Sequence, residues 1–185
     1  MIRTFVAIEI SDKTRNDIKT IIARLREVKA HVKWVLPANL HITLKFLGNV
    51  KDDEIAKISE FIRESSSGLK PFNLHVGGLG AFPDLKRPKV IFVNIKDEYN
   101  NLYTLHNRLE EKLTCLGIKK ELRKYKPHIT IGRVSSCQQI DILADAIEMH
   151  KNDSLGNEQI KSVALMMSEL LPKGPEYTKL DTIRL

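Results

Sequence analysis

A tetrapeptide that occurs twice constrains this chain more than any other feature. His41-Ile42-Thr43-Leu44 returns as His128-Ile129-Thr130-Ile131, 87 residues later. From 6 His, 20 Ile and 9 Thr in 185 residues, chance predicts about 0.03 His-Ile-Thr matches in the whole chain. The surroundings repeat as well. A shift of 87 lays Phe5-Val6-Ala7-Ile8 on Phe92-Val93-Asn94-Ile95, Ile18 on Leu105, Ile22 on Leu109 and Val76 on Val163. From Phe to His is 36 residues in both copies. An internal duplication therefore predicts a single domain of two pseudo-symmetric lobes, with repeat units of about 1–87 and 88–185.

Each unit reads as strand, helix, strand. Arg3 to Ile10 is apolar and β-branched, a strand followed by the N-cap candidate Ser11. Ile18, Ile21, Ile22 and Leu25 recur at helical spacing, so Lys13 to Val28 is expected to be an amphipathic helix. His31 to Val35 is a short extended piece, and His41 to Leu47 a strand. A second helix should run from the acidic Asp52-Asp53-Glu54 to about Glu64, and Phe72 to Val76 alternates as a strand. The Pro- and Gly-bearing stretch Ala81 to Pro88 separates the units. In the second unit, Val90 to Ile95 is a strand, Asp97 to Leu116 a helix and His128 to Val134 a strand. Ile140 to Met149 is a further helix, Lys151 to Gly156 a loop, Ile160 to Met167 a strand and Leu180 to Leu185 a terminal strand.

Alternate side chains of a strand face opposite ways. His and Thr of each copy thus share a face, about 6.6 Å apart along the strand. By the same alternation Lys45 falls on the His face, a weaker phosphate candidate. Phe46 and Arg133, each five residues after its His, fall on the other. Gly132 permits a bulge that would re-aim Arg133; no comparable device is visible for Phe46.

Pseudo-symmetric lobes would bring two imidazoles and two hydroxyls to one cleft. An imidazole titrates near neutrality, so one ring can be charged while the other is neutral, as paired general acid and base require. The hydroxyls can donate hydrogen bonds to an anion, and a phosphate offers several acceptor oxygens. Other chemistries lack their residues. Neither motif contains Asp, Glu, Cys or a second His at ligand spacing, so no metal or other cofactor is expected. Cys115 and Cys137 belong to no nucleophile, redox or disulfide pattern. Gly77-Gly78-Leu79-Gly80 lacks the Lys-Ser/Thr of a phosphate-binding loop. His31, His75, His106 and His150 have no motif around them and are read as structural or surface residues, and Trp34 as packing.

The formal net charge of +7 favours a polyanionic partner such as nucleic acid. No apolar run approaches the roughly 20 residues that span a membrane. Met1 to Ile10 has no signal-peptide pattern, and two cysteines outside any disulfide pattern suit a reducing compartment, so a cytoplasmic protein with no membrane partner is expected; a monomer is the expected oligomeric state.

The two motifs resemble those of the two-histidine phosphoesterases, and within them the LigT-type RNA 2′,3′-cyclic phosphodiesterases, also called 2′-5′ RNA ligases. The matching stretches are His41 to Gly48 and Tyr125 to Arg133. Arg3 to Ile8 is similar to the family's opening strand and Gly80-Ala81-Phe82-Pro83 to its mid-chain turn. Ser168-Glu169-Leu170 with Gly174-Pro175-Glu176-Tyr177 is similar to its C-terminal signature. The resemblance implies a bilobal α+β fold, with antiparallel sheets lining a central cleft and helices outside. It further implies hydrolysis of RNA 2′,3′-cyclic phosphate ends, tRNA-like fragments among them, to 2′-phosphomonoesters. In that scheme His41 is the proton donor and His128 the proton acceptor. Thr43 and Thr130 bind non-bridging oxygens, Arg133 contacts phosphate and Phe46 stacks a base. The same resemblance leaves open a 2′-5′ ligation, or a small cyclic nucleotide or ADP-ribose cyclic phosphate as substrate. A non-catalytic nucleotide- or RNA-binding module is the reading from another class, but phosphate binding alone would favour Arg and Lys over paired His-x-Thr.

Overall fold

The computed structural model describes residues 1–172 and 174–185. Nine strands and four α-helices occur among them, in the order β1 (Ile2–Glu9), α1 (Asp12–Arg26), β2 (Val32–Trp34), β3 (His41–Val50), α2 (Ile55–Ser66), β4 (Phe72–Phe82), β5 (Val90–Lys96), α3 (Asn101–Thr114), β6 (His128–Val134), α4 (Ile140–Met149), β7 (Ser154–Ile160), β8 (Ser162–Leu171) and β9 (Gly174–Arg184). The helices form where apolar residues recur at helical spacing. Ile18, Ile21, Ile22 and Leu25 of α1 are buried, as are Leu102, Leu105, Leu109 and Leu113 of α3. Ser11 caps α1 by accepting from the Thr14 N–H, and is itself held by the Glu158 carboxylate of β7.

All the strands pair antiparallel in one sheet of order β7-β4-β5-β6-β3-β1-β8-β9, with β2 paired to β6. The order reads the same from either end about the β6–β3 seam. The seam is narrow: its one paired position is Ile42 with Ile129. The antiparallel sheets expected to line the cleft are thus two halves of one curled sheet. The half-sheets are also not the sequence repeats. β4, from the first repeat, lies beside β5, while β8, from the second, lies beside β1 and carries β9 on its outer edge. Strands exchanged in this way tie the halves together, and one apolar cluster runs beneath both, from Ile18 and Val6 through Ile42 and Ile129 to Val93 and Leu105. The helices pack on that face. The opposite face carries His41, Thr43, His128 and Thr130, all half-buried.

Several details differ from the sequence expectation, among them β4, which runs on to Phe82, and β9, which starts at Gly174. Glu9 lies opposite His41 and Asn94 opposite His128, so β1 and β5 correspond at an offset of 85, not 87. The structural counterpart of Phe5 is Val90. A slip of two residues keeps every side chain on its face, so the apolar pattern matches equally at either offset. The polar segment Ser154 to Gly156, read as loop, begins β7, an edge strand. Edge strands have only one neighbour and tolerate polar sequences, so their apolar pattern is weak.

Candidate functional site

Both motif strands carry a bulge at the same point. β1 pairs Ala7 with Thr43 and then Val6 with Lys45, leaving Leu44 as an extra residue. β5 pairs Phe92 with Thr130 and then Ile91 with Gly132, leaving Ile131 extra. An extra residue reverses the alternation beyond it. Phe46 therefore joins the His face, 53% exposed with its ring centroid 6.0 Å from that of Phe5. Arg133 is likewise exposed, and its charge acts on both His128 and Tyr177.

The bulge also moves Lys45, and here the sequence expectation is corrected. Lys45 is 1% exposed and points among the helices, not into the cleft. Its Nζ donates to Glu110 Oε1 of α3 at 2.6 Å and to the Lys119 carbonyl at 3.0 Å. The bulge carbonyls find their own donors. The Tyr125 hydroxyl donates to Thr43 O at 3.1 Å, and His106 Nδ1–H donates to Leu44 O at 2.9 Å. His106 and Tyr125 stack with centroids 4.2 Å apart. Burial, with the neighbouring Tyr103, Asp97 and Glu121 charges, holds the Tyr125 hydroxyl well above its ordinary range, so it stays a donor. In the other half the position matching Lys45 is Gly132. A Cβ there would lie 2.7 Å from Val32 Cγ1 and 3.0 Å from the Trp34 ring, so the glycine lets β2 lie close. Trp34 packs against the core, as expected.

The two imidazoles are held alike. His41 Nδ1–H donates to Asn39 O at 2.8 Å, and His128 Nδ1–H donates to Lys126 O at 2.6 Å. A carbonyl can only accept, so each Nδ1 keeps its proton and each Nε2 is the atom that can gain or release one. Thr43 Oγ1–H donates to His41 Nε2 at 3.0 Å while the ring is neutral, and the roles reverse when it is charged. The antiparallel register about Ile42 and Ile129 sets His41 opposite Thr130 and His128 opposite Thr43, so the two imidazoles stand diagonally across the seam.

Burial pushes both imidazoles below their ordinary value, with the Nδ1 carbonyl bonds opposing it. A smaller lowering comes from His128 acting on His41, and from Arg133 acting on His128. The second differs in kind, because a guanidinium is always charged.

Aromatic rings wall the site. His41 lies 5.0 Å from Phe5 and 5.4 Å from Tyr177, and His128 lies 5.0 Å from Phe82 and 5.3 Å from Phe92, between ring centroids. None of these four reads as a site residue from the sequence, although Phe5 and Phe92 are matching positions of the repeat; they come from β1, β9, β4 and β5. Phe5, Phe82 and Tyr177 do stand in short segments that carry the family resemblance. Asn39, whose carbonyl holds His41, also donates through Nδ2 to Pro175 O at 2.7 Å, tying the start of β9 to the site. Among the described residues no group of three or more His, Cys, Asp or Glu is placed to hold a metal ion, and no helix is long and apolar enough to cross a membrane.

Comparison with known proteins agrees with this architecture. The family described as "LigT like Phosphoesterase" matches the chain twice, over residues 8–92 and 93–177. A Methanothermobacter thermautotrophicus protein named RNA 2′,3′-cyclic phosphodiesterase is 33% identical over 184 residues, covering 100% of this chain and 99% of its own. The protein of the same name from Archaeoglobus fulgidus is 37% identical over 178 residues, covering 96% of this chain and 97% of its own. Among solved structures, TT0787 of Thermus thermophilus superposes with a TM-score of 0.83 at 25% identity, covering 100% of this chain and 98% of that one. Escherichia coli LigT complexed with 3′-AMP superposes at 0.80 and 23% identity over the same shares, a likeness of fold.

Proposed function

This chain belongs to the LigT-like phosphoesterase family, and from that premise we propose that it hydrolyses RNA 2′,3′-cyclic phosphate ends to 2′-phosphomonoesters without a metal. The observation that carries the reading is the matched pair of imidazoles, each with Nδ1–H fixed on a backbone carbonyl and Nε2 left to move a proton. The names of the curated relatives supply the substrate class.

His128 Nε2 takes a proton from water as the water oxygen bonds to phosphorus. The ribose 3′-oxygen leaves and receives a proton from His41 Nε2–H. The fixed Arg133 charge favours neutral His128, the form a base needs. At His41 the Thr43 hydroxyl can accept Nε2–H, so the protonated ring keeps a partner until the leaving oxygen replaces it. Thr43, Thr130 and Arg133 bind the non-bridging oxygens, and the exposed face of Phe46 takes the base, a sequence-tolerant contact. A ribose 5′-hydroxyl in the place of water would give a 2′-5′ linkage by the same proton transfers.

The test is incubation of an oligoribonucleotide 2′,3′-cyclic phosphate with the protein in EDTA, followed by location of the terminal phosphate. A 2′-phosphate is expected, and His41→Ala and His128→Ala should each lose about 10²-fold or more in turnover. A 3′-phosphate product, or wild-type turnover in both variants, would refute the assignment.

A further inference from the structure

The segment between α3 and β6 carries charge that the site does not use. Lys119, Lys120, Arg123, Lys124 and Lys126 stand there against one acid, Glu121, within eight residues. That is more than half of the chain's formal net charge of +7. All six side chains are exposed, and so is Leu122 among them. Like charges crowded on a loop repel and would ordinarily leave it loose. This loop is instead fastened to the motif strand β3 and to α3. The Lys119 carbonyl accepts from Lys45 Nζ, the Glu121 N–H donates to Glu110 Oε2 at 3.1 Å, and the Tyr125 hydroxyl donates to Thr43 O. Its last carbonyl, that of Lys126, holds His128. Lys126 Nζ stands 5.8 Å from the Phe82 ring centre, and that ring lies against His128.

A buried Lys–Glu pair is costly in desolvation and contributes little net stability over an apolar pair of the same volume. Here it has a geometric consequence. It anchors one end of a strongly basic strip to α3 on the helix side of the sheet, while the other end, Lys126, stands beside His128 at the cleft. We propose that the 119–126 loop is a docking surface for the RNA backbone 5′ of the reacting end, with Lys120, Arg123 and Lys124 neutralising phosphates of the single strand. This rests on the hydrolysis proposed above and deepens it. It makes a strand of several nucleotides the preferred substrate over a mononucleotide, because a mononucleotide would fill the cleft and leave the strip empty.

The experiment compares wild type with Lys120→Gln/Arg123→Gln/Lys124→Gln. It measures kcat/KM on a mononucleotide 2′,3′-cyclic phosphate and on a 12-nucleotide single strand with the same end, from 50 to 200 mM salt. It also measures the affinity of each protein for the 12-mer by anisotropy. Each phosphate neutralised on a single strand contributes about 0.7 to the slope of log affinity on log salt. The triple variant should therefore lose about 2 from that slope. Over the fourfold salt range its affinity should fall about 15-fold less than that of wild type. Mononucleotide turnover should be unchanged. An unchanged salt slope, or an equal fall on both substrates, would overturn the docking surface. Absence of turnover by wild type on both substrates would refute the hydrolase reading instead, and the anisotropy slope would still decide the loop.

Discussion

Replacing Lys45 separates two roles that strand alternation alone would confuse. As a phosphate ligand it would be dispensable for folding, and its loss would raise KM. The structure makes it half of a buried pair, with side-chain exposures of 0% for Lys45 and 9% for Glu110. In Lys45→Met the Glu110 carboxylate stays buried with the Glu121 N–H as its remaining partner. Breaking a buried pair in this way costs about 3–5 kcal/mol, because the abandoned charge is not resolvated. For a chain of this size, each kcal/mol lowers Tm by about 2–4 °C, so a fall of about 6–20 °C is expected. Removing both charges in Lys45→Met/Glu110→Leu should recover most of that loss, since an apolar pair of similar volume has no desolvation penalty. Urea unfolding of wild type, both single variants and the double variant measures the coupling directly. A Lys45→Met protein within about 0.5 kcal/mol of wild type, with a raised KM, would refute the buried-pair account.

Two further outcomes follow from the site and the seam. Both motif imidazoles lie below the ordinary 6.5 in the folded protein. As pH falls through 6.5 the unfolded chain takes up these protons first, so stability is complete above that value and declines from there down to the depressed folded values. The acid limb of kcat/KM should likewise lie below 6.5; a limb above it in the free enzyme would contradict the burial of the rings. Gly132→Ala should cost about 1–3 kcal/mol in urea unfolding, because its Cβ would meet Val32 and Trp34 at 2.7 and 3.0 Å. Wild-type stability there would mean that β2 does not pack against β6 as described.

The helices and the motif strands were legible because their signals are local. The buried face of α1 is the one its spacing predicts, and α4 begins and ends at the expected Ile140 and Met149. The paired His-x-Thr strands come together at the centre of the sheet, where a duplicated unit would meet its copy. Lys45 and Phe46 were misplaced for one reason. Alternation assumes an unbroken ladder, and the extra residue at Leu44 appears only in the pairing with β1. Gly132 offered a hint of the bulge in β6, but its counterpart is a lysine, whose buried partner stands 65 residues away.

What the sequence determined by itself is therefore the periodic and the repeated: helix faces, two matching strands, and the residue types that can trade a proton near neutral pH. What the tertiary structure decided is everything set by a neighbouring strand or helix. Register with β1 and β5 chose which side chains enter the cleft. Exchange of β4 with β8 and β9 made the half-sheets different from the repeats. Rings from β1, β4, β5 and β9 enclosed the imidazoles. Hydrogen bonds and ring contacts between residues distant in the chain leave no period in it, so they emerge only once the sheet has closed.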